Sequence, residues 1–201
     1  MHAAPHTQQV LDLASQQGLL RAGQLQALGI GRVVLTRLIA SGRLERVGRG
    51  VYRVPGMQAS EHESLATLAV KVPQAVFCLL TALQLHGLTT QLPRQVWIAM
   101  PQGSHAPRLD YPPVKMVQFS GEAFAAGVET LQVEQVALRV YSAAKTVADC
   151  FKHRNKIGLD VAIEALKDAL AQNKATADEL WRFAKICRVG NVMRPYLEAL
   201  G

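Results

Sequence analysis

The sequence is poor in the features that mark secreted and membrane proteins. Cys78, Cys150 and Cys187 are the only cysteines among 201 residues, and their wide spacing fits neither a disulfide framework nor a zinc site. No segment has the uninterrupted apolar length that crosses a bilayer. The N-terminal MHAAPHTQQV lacks the cationic start and apolar run of a signal peptide. We therefore expect a cytoplasmic protein with buried, reduced cysteines.

Motifs of the common enzyme classes are also missing. The sequence has no dinucleotide-binding GxGxxG, no Walker sequence, no HExxH and no GxSxG nucleophile turn. The C-terminal part lacks the clustered carboxylates that hold a catalytic divalent metal. These absences disfavour a nuclease or another enzyme joined to a DNA-binding domain. We therefore expect no catalytic residue, no cofactor and no metal site.

Lysine is missing from the first 57 residues, and acids are nearly missing. This segment has seven arginines against two acids, Asp12 and Glu45, a net charge of +5, whereas the rest of the chain has a net charge of +2. Arginine binds phosphates and guanine edges through two parallel hydrogen bonds, whereas lysine acts as a point charge. A solubilising surface would mix both residue types over the whole chain. The distribution therefore favours a nucleic-acid-binding surface in the N-terminal segment.

The N-terminal segment does contain the pattern of three short helices and a hairpin. Apolar spacing and glycine stops predict helices in HTQQVLDLASQQ, from about Arg21 to Leu28, and from about Gly31 to Ala40. LERV and VYRV then predict two strands joined through a glycine-containing turn at residues 48–50. This order is typical of a winged helix-turn-helix, for which we predict a domain at residues 1–56.

The third predicted helix is the one that would enter the major groove. Its expected core positions are Val34, Leu35, Leu38 and Ile39. The opposite face then consists of Arg32, Val33, Thr36, Arg37 and Ala40. We predict that Arg32 and Arg37 contact guanine and that Thr36 reaches a base edge or a phosphate.

Other residues of this segment are expected to hold the DNA backbone. Arg21 and Gln24, at the start of the second helix, are predicted phosphate anchors. The wing is expected to present Arg46, Arg49 and Arg53 to the backbone or the minor groove. A winged helix that binds protein is the alternative, which the arginine excess disfavours.

Residues 57–201 predict a larger α+β domain. Helical patterns surround the β-favouring segments QVWIAMP, VKMVQFS and the two halves of GVETLQVEQVALRVYS. Their order indicates a small antiparallel or mixed sheet flanked by helices. The whole chain is thus expected to be α+β.

A second basic run lies in this C-terminal domain. Lys145, Asp149, Lys152 and Lys156 recur at helical spacing and form one stripe. The favoured interpretation is a solvated helix face with local Lys–Asp pairing. The alternative is an auxiliary phosphate-binding face formed by Lys145, Lys152 and Lys156.

Long segments of the chain resemble one known family. GLLRAGQLQALGIGRVVLTRLIASGRLERVGRGVYRVPG is similar to the winged-helix domain at the start of AbiEi-type antitoxins, a domain that also precedes others such as Vsr-like endonucleases. Four later segments resemble the C-terminal antitoxin domain of the same family and follow in the same order. They are LTALQLHGLTTQLPRQVWIAMP, YPPVKMVQFSG, YSAAKTVADCFKHRNKIGLDVAIEALKDAL and VMRPYLEAL.

The resemblance implies a bacterial antitoxin of a type IV toxin–antitoxin, or abortive infection, system. In that family the N-terminal domain binds inverted repeats in its own promoter and represses the operon, while the C-terminal domain supplies the antitoxin activity. The partner is a nucleotidyltransferase-like toxin, with which a stable complex is not required. A DNA-binding regulator of the same fold without a toxin partner is the alternative. Binding to paired repeats is compatible with a dimer or with monomers that assemble on DNA.

Overall fold

The chain forms two compact units, each of which combines helices with strands. The computed structural model describes residues 5–17, 20–48, 50–56, 63–91, 93–109, 112–133 and 136–200. The first unit comprises Met1–Lys71 with Gln132–Ala137, and the second comprises Val72–Leu131 with Leu138–Gly201. The mixed content of helix and strand confirms the α+β class.

The first unit begins with three short helices, α1 (Pro5–Gln17), α2 (Ala22–Ala27) and α3 (Arg32–Ala40). The glycine stops that the sequence predicts after α2 and α3 are confirmed. Gly29 and Gly42 have φ angles of 70° and 68°, a region that residues with a Cβ seldom adopt. Each glycine closes a Schellman motif: the amide of the residue that follows it donates back to a helix carbonyl, at 2.8 Å after α2 and 2.9 Å after α3.

A three-stranded antiparallel sheet accompanies these helices. Its strands are β1 (Leu20–Arg21), β2 (Glu45–Gly48) and β3 (Val51–Arg53), in the order β1-β3-β2. β2 and β3 form the predicted hairpin, with a bulge between Arg46 and Gly48. β1 was not predicted from the sequence. It places Arg21 in a strand and not in the second helix.

The core of the first unit lies between the three helices and the sheet. It buries one apolar side of each helix together with apolar residues of the strands and turns, namely Val10, Leu11, Ala14, Leu20, Leu25, Ile30, Leu35, Leu38 and Leu44. A further helix of this unit, α4, spans Glu63–Lys71. The core is therefore built from short helices that have little stability alone and depend on one another.

Most of a five-stranded mixed sheet lies in the second unit. Its strands are β4 (Val76–Phe77), β5 (Val96–Pro101), β6 (Val114–Phe119), β7 (Val128–Val133) and β8 (Val136–Tyr141), in the order β6-β5-β4-β8-β7. β4 pairs antiparallel with β5 and parallel with β8, and β5 pairs parallel with β6. The predicted strands of this domain are thus confirmed, and the sheet is mixed.

Seven helices complete the described part of the second unit. They are α5 (Leu79–Leu85), α6 (Glu122–Ala125), α7 (Ala143–Lys152), α8 (Arg154–Ile157), α9 (Leu159–Ala171), α10 (Ala177–Ile186) and α11 (Gly190–Leu200). Ser142 caps α7 and Thr176 caps α10, because each hydroxyl accepts a hydrogen bond from a backbone amide of the first turn. Helix α7 is buried from Ala143 to Phe151. In the described part of the chain, no helix is both long enough and apolar enough to traverse a lipid bilayer.

Candidate nucleic-acid interface

Helix α3 presents a continuous exposed face that carries two arginines. Leu35 and Leu38 are buried on the opposite face, as the sequence predicts. All five residues that the sequence assigns to the outer face are exposed: Arg32, Val33, Thr36, Arg37 and Ala40. Two expected core positions differ from the prediction. Val34 is half-buried and Ile39 is 37% exposed, because the other elements of the unit cover a narrower arc of α3 than its apolar pattern suggests.

Charged, polar and apolar residues occupy different parts of the exposed face of α3. On a helix of about 3.6 residues per turn, Arg32 and Thr36 lie along one side of the face, Arg37 lies along the other, and Val33 and Ala40 lie between them. Val33 is 61% exposed, the highest value among the large apolar side chains that the structure describes as exposed. The face therefore offers cationic edges around an apolar centre.

The two guanidinium groups of this face are available for an external partner. Within the described part of the chain, Arg32 and Arg37 make no ion pair. The Thr36 hydroxyl donates to the Arg32 carbonyl at 3.3 Å and retains its acceptor lone pairs. Phosphates or base edges could thus bind the two guanidinium groups without displacing an internal partner.

The start of α2 positions the two predicted phosphate anchors differently. Arg21 is exposed in β1. The Gln24 side-chain oxygen accepts a hydrogen bond from the Arg21 backbone amide at 2.8 Å, so this oxygen caps α2. The Ala22 amide donates to the Gly50 carbonyl at 2.9 Å, which ties the start of α2 to the hairpin. Arg21 is consequently the more available of the two anchors.

The arginines of the hairpin are not equivalent. Arg53 forms an ion pair with Glu45 on the neighbouring strand, and both are partly buried. The Nε of Arg46 donates to the Gly48 carbonyl at 3.1 Å, but the side chain is exposed and its terminal guanidinium nitrogens remain available. Arg49 lies outside the described residues. Among the described arginines of the hairpin, Arg46 is the more accessible to an external partner and Arg53 is engaged within the hairpin.

The predicted auxiliary basic stripe of the C-terminal domain does not form one exposed face. Lys145 and Asp149 are both fully buried, with Nζ and Oδ2 2.6 Å apart. Lys152 and Lys156 are exposed. Lys145 is therefore not an auxiliary phosphate contact. The expected local Lys–Asp pairing is confirmed, but the expected solvation of this face is wrong, because α7 lies inside the core.

Two features of the interface were missed by sequence reasoning. β1 has only two residues, too few for any periodic signal. Val33 was placed on the exposed face but was given no role.

In the described part of the chain, no group of three or more His, Cys, Asp or Glu side chains could hold a metal ion.

Comparisons with known proteins agree with this description. Residues 8–55 match the family model of the transcriptional regulators described as AbiEi antitoxin. The solved structure of the RV2827C protein from Mycobacterium tuberculosis is similar, with a TM-score of 0.60 and 15% sequence identity over 92% of this chain and 72% of that chain. At this identity the likeness concerns the fold alone. No curated protein sequence matches the chain significantly.

The family match covers the segment that contains α2, α3, the hairpin and all of the arginines singled out above. It confirms the resemblance noted for the N-terminal part of the sequence, and the C-terminal segments lie outside the matched residues. The N-terminal segment of this chain is therefore similar to the AbiEi antitoxin family of transcriptional regulators.

Proposed function

We propose that this protein is a winged helix-turn-helix autorepressor and the antitoxin of a type IV toxin–antitoxin pair. Its N-terminal segment binds inverted repeats in its own promoter, and the remainder counteracts a nucleotidyltransferase-like toxin without catalysis, in the cytoplasm. The observation that carries the proposal is the exposed face of α3, inside the segment that matches the family. On this face Arg32 and Arg37 form no ion pair with any residue that the structure describes.

The order of elements in the first unit supports the DNA-binding part. Three helices, with a β-hairpin after the third, are the arrangement in which α3 lies in the major groove and the hairpin flanks it. In that pose Arg32 and Arg37 meet guanine edges, Thr36 meets a base edge or a phosphate, and Arg21 and Arg46 meet phosphates.

The charge of this segment supports a nucleic-acid partner over a protein partner. Its two acids are already engaged: Asp12 accepts a hydrogen bond from Gln8 at 2.8 Å, and Glu45 pairs with Arg53. Among the described residues, the exposed Arg32 and Arg37 therefore have no acidic partner. Such a surface attracts the phosphate backbone and makes binding strongly dependent on salt.

A regulator of the same fold without a toxin partner is the alternative. The two functions are separated by an experiment in which repression and toxin neutralisation are measured on the same variants. The Arg32→Ala/Arg37→Ala variant should lose repression of a promoter reporter, because each good bidentate contact contributes about 1–3 kcal/mol of specificity. It should still rescue growth when the nucleotidyltransferase-like gene encoded beside it is induced.

Arg194→Ala is the matched control, since Arg194 is an exposed helical arginine of the second unit. It should repress and rescue like the wild type. If the double variant shifts the native upstream DNA in gels as the wild type does, α3 is not the recognition helix. Growth arrest in the presence of the wild-type protein would remove the antitoxin role and leave the regulator.

A further inference from the structure

A cavity of about 500 Å³ lies in the second unit, and the proposed function gives it no role. It forms where three segments meet: the end of β6 with the turn that follows it, the C-terminal end of α7, and the C-terminal end of α10. Small-molecule sites in proteins have volumes of about 300–1,000 Å³. The cavity is therefore large enough for a ligand of the size of a mononucleotide.

Three cationic side chains line this cavity. They are Lys152, Lys185 and Arg188, and all three are exposed. Of the residues that the structure describes, none forms an ion pair with any of them. Glu122 is the exposed acid of the lining, and the buried Asp149 is already paired with Lys145. Positive charge thus predominates in a concave site, which attracts anions.

The histidine of the lining adds hydrogen-bonding capacity without adding charge. His153 packs edge-on against the Phe119 ring, with ring centroids 5.5 Å apart. Burial, together with the charges of Lys156, Lys152 and Lys145, lowers the pKa of His153 to about 4. At neutral pH the imidazole is therefore neutral, and one ring nitrogen can donate while the other accepts.

Cations at the C-terminal ends of helices commonly serve to bind the last carbonyl groups. Here other groups already do so. The Arg154 guanidinium donates to the Phe151 carbonyl at 3.0 Å at the end of α7. At the end of α10 the Val189 amide donates to the Ala184 carbonyl at 2.8 Å. The two lysines are consequently not needed to close these helix ends.

Arg188 occupies an unusual backbone position. Its φ angle is 57°, at the place in the Schellman motif of α10 that glycine occupies after α2 and α3. A side chain in this conformation costs free energy, because its Cβ approaches the following carbonyl oxygen. An arginine in this strained position, at the wall of a cationic cavity, indicates that its guanidinium group has a function there.

We propose that this cavity binds a small phosphate-bearing ligand, with its phosphate group held by Lys152, Lys185 and Arg188. A phosphate monoester carries up to two negative charges and several acceptor oxygens, so it matches three cations better than a single carboxylate does. The guanidinium of Arg188 supplies two parallel hydrogen bonds, and the lysines supply point charges. This site does not depend on the DNA-binding proposal.

Isothermal titration calorimetry of the full-length protein tests the proposal with three probes: inorganic phosphate, adenosine triphosphate and adenosine. The two phosphate compounds should bind, and adenosine should not. Equal affinity for both compounds identifies a single phosphate group as the recognised feature, whereas tighter binding of the triphosphate shows that its further phosphates or its nucleoside also contribute. Absence of binding by both at millimolar concentration would overturn the proposal.

Substitutions of the cationic lining residues test whether the phosphate compounds bind in this cavity. Lys185→Ala and Arg188→Gly should each weaken it about tenfold, because hydrogen bonds to charged groups contribute that much or more. Lys167→Ala removes an exposed lysine of α9 outside the cavity and should bind as the wild type does. Arg188→Gly should also raise the midpoint of thermal unfolding, because glycine adopts this positive φ without strain. A higher midpoint would show that the variant is folded and that its weaker binding does not come from unfolding.

The arginines of the first unit are a second place where phosphate could bind. The Arg32→Ala/Arg37→Ala variant therefore serves as a further control and should retain the calorimetric signal. If that variant loses binding while Lys185→Ala and Arg188→Gly keep it, the phosphate site lies on α3 and the cavity proposal is wrong.

Discussion

The buried Lys145–Asp149 pair allows a sharp test of how the second unit is held together. Both side chains are fully buried, and Nζ lies 2.6 Å from Oδ2. The Lys145 ammonium also lies 4.0 Å from the centroid of the Tyr141 ring and 4.8 Å from that of Phe119. The Cys187 thiol donates to the other carboxylate oxygen at 3.2 Å. Asp149→Asn removes the negative charge and leaves the ammonium with two ring faces and a neutral amide.

The expected cost follows from this environment. Burial raises the pKa of Asp149, and the Lys145 charge and hydrogen bond oppose that shift. Breaking a buried pair by neutralising one partner typically costs about 3–5 kcal/mol, because the remaining charge is uncompensated. The total stability of a domain is about 5–15 kcal/mol, so Asp149→Asn should remove a large share of it. Lys145→Met should have a comparable effect.

Urea unfolding monitored by tryptophan fluorescence is the appropriate assay. The only two tryptophans, Trp97 and Trp181, both belong to the second unit, so the signal follows that unit. The double variant Lys145→Met/Asp149→Asn should lose less stability than the two single losses added together, since no charge is left buried. Single losses below about 1 kcal/mol, or a strictly additive double variant, would refute the inferred burial of the pair.

The same variants separate a structural from a DNA-binding role of Lys145. With the lysine inside the core, Lys145→Met lowers the free energy of unfolding and leaves operator affinity unchanged at temperatures where the variant is folded. A surface phosphate contact would give the reverse pattern, with weaker DNA binding, a smaller salt dependence and unaltered stability.

Two further predictions concern single side chains. His153 has a pKa lowered to about 4, so between pH 6.5 and 4 the unfolded chain binds more protons than the folded chain. The free energy of unfolding should therefore fall over this window as pH decreases, by about 1–2 kcal/mol once the partial exposure of the ring is allowed for. His153→Gln should flatten the profile, and an unchanged slope would contradict the assignment. The exposed Val33 methyls suit the methyl group of thymine in the major groove. Replacing operator thymines by deoxyuridine should weaken wild-type binding about fourfold, the contribution of one buried methyl group. Val33→Ala should respond less, and an equal response of both proteins would rule out this contact.

Much of the first unit was predictable because its signals are local. The helix stops at Gly29 and Gly42 need a positive φ, which is a property of the glycine itself. The outer position of Arg32 and Arg37 follows from helix geometry and the apolar residues opposite them. The two-residue strand β1 was not predictable, because its pairing with β3 joins residues that are distant in the chain.

The second unit shows the limit of this reasoning. The strands and the helices around them were predicted from local patterns of the sequence. The cavity was not predictable, since it brings together Lys185, Arg188, Lys152 and the end of β6 from separate segments. Neither a hydrophobic periodicity nor a short motif in the sequence indicates that residues of such distant segments lie together.

The sequence by itself determined which local elements form, where they stop, and that arginine is concentrated in the segment that matches the AbiEi antitoxin family. Tertiary structure alone decided which charges face water. Lys145 and Lys152 belong to the same helix and have the same chemistry, yet one is buried beside Asp149 and the other lines an open cavity. The physical reason is that burial depends on what packs against each side of a helix, and those neighbours come from distant parts of the chain.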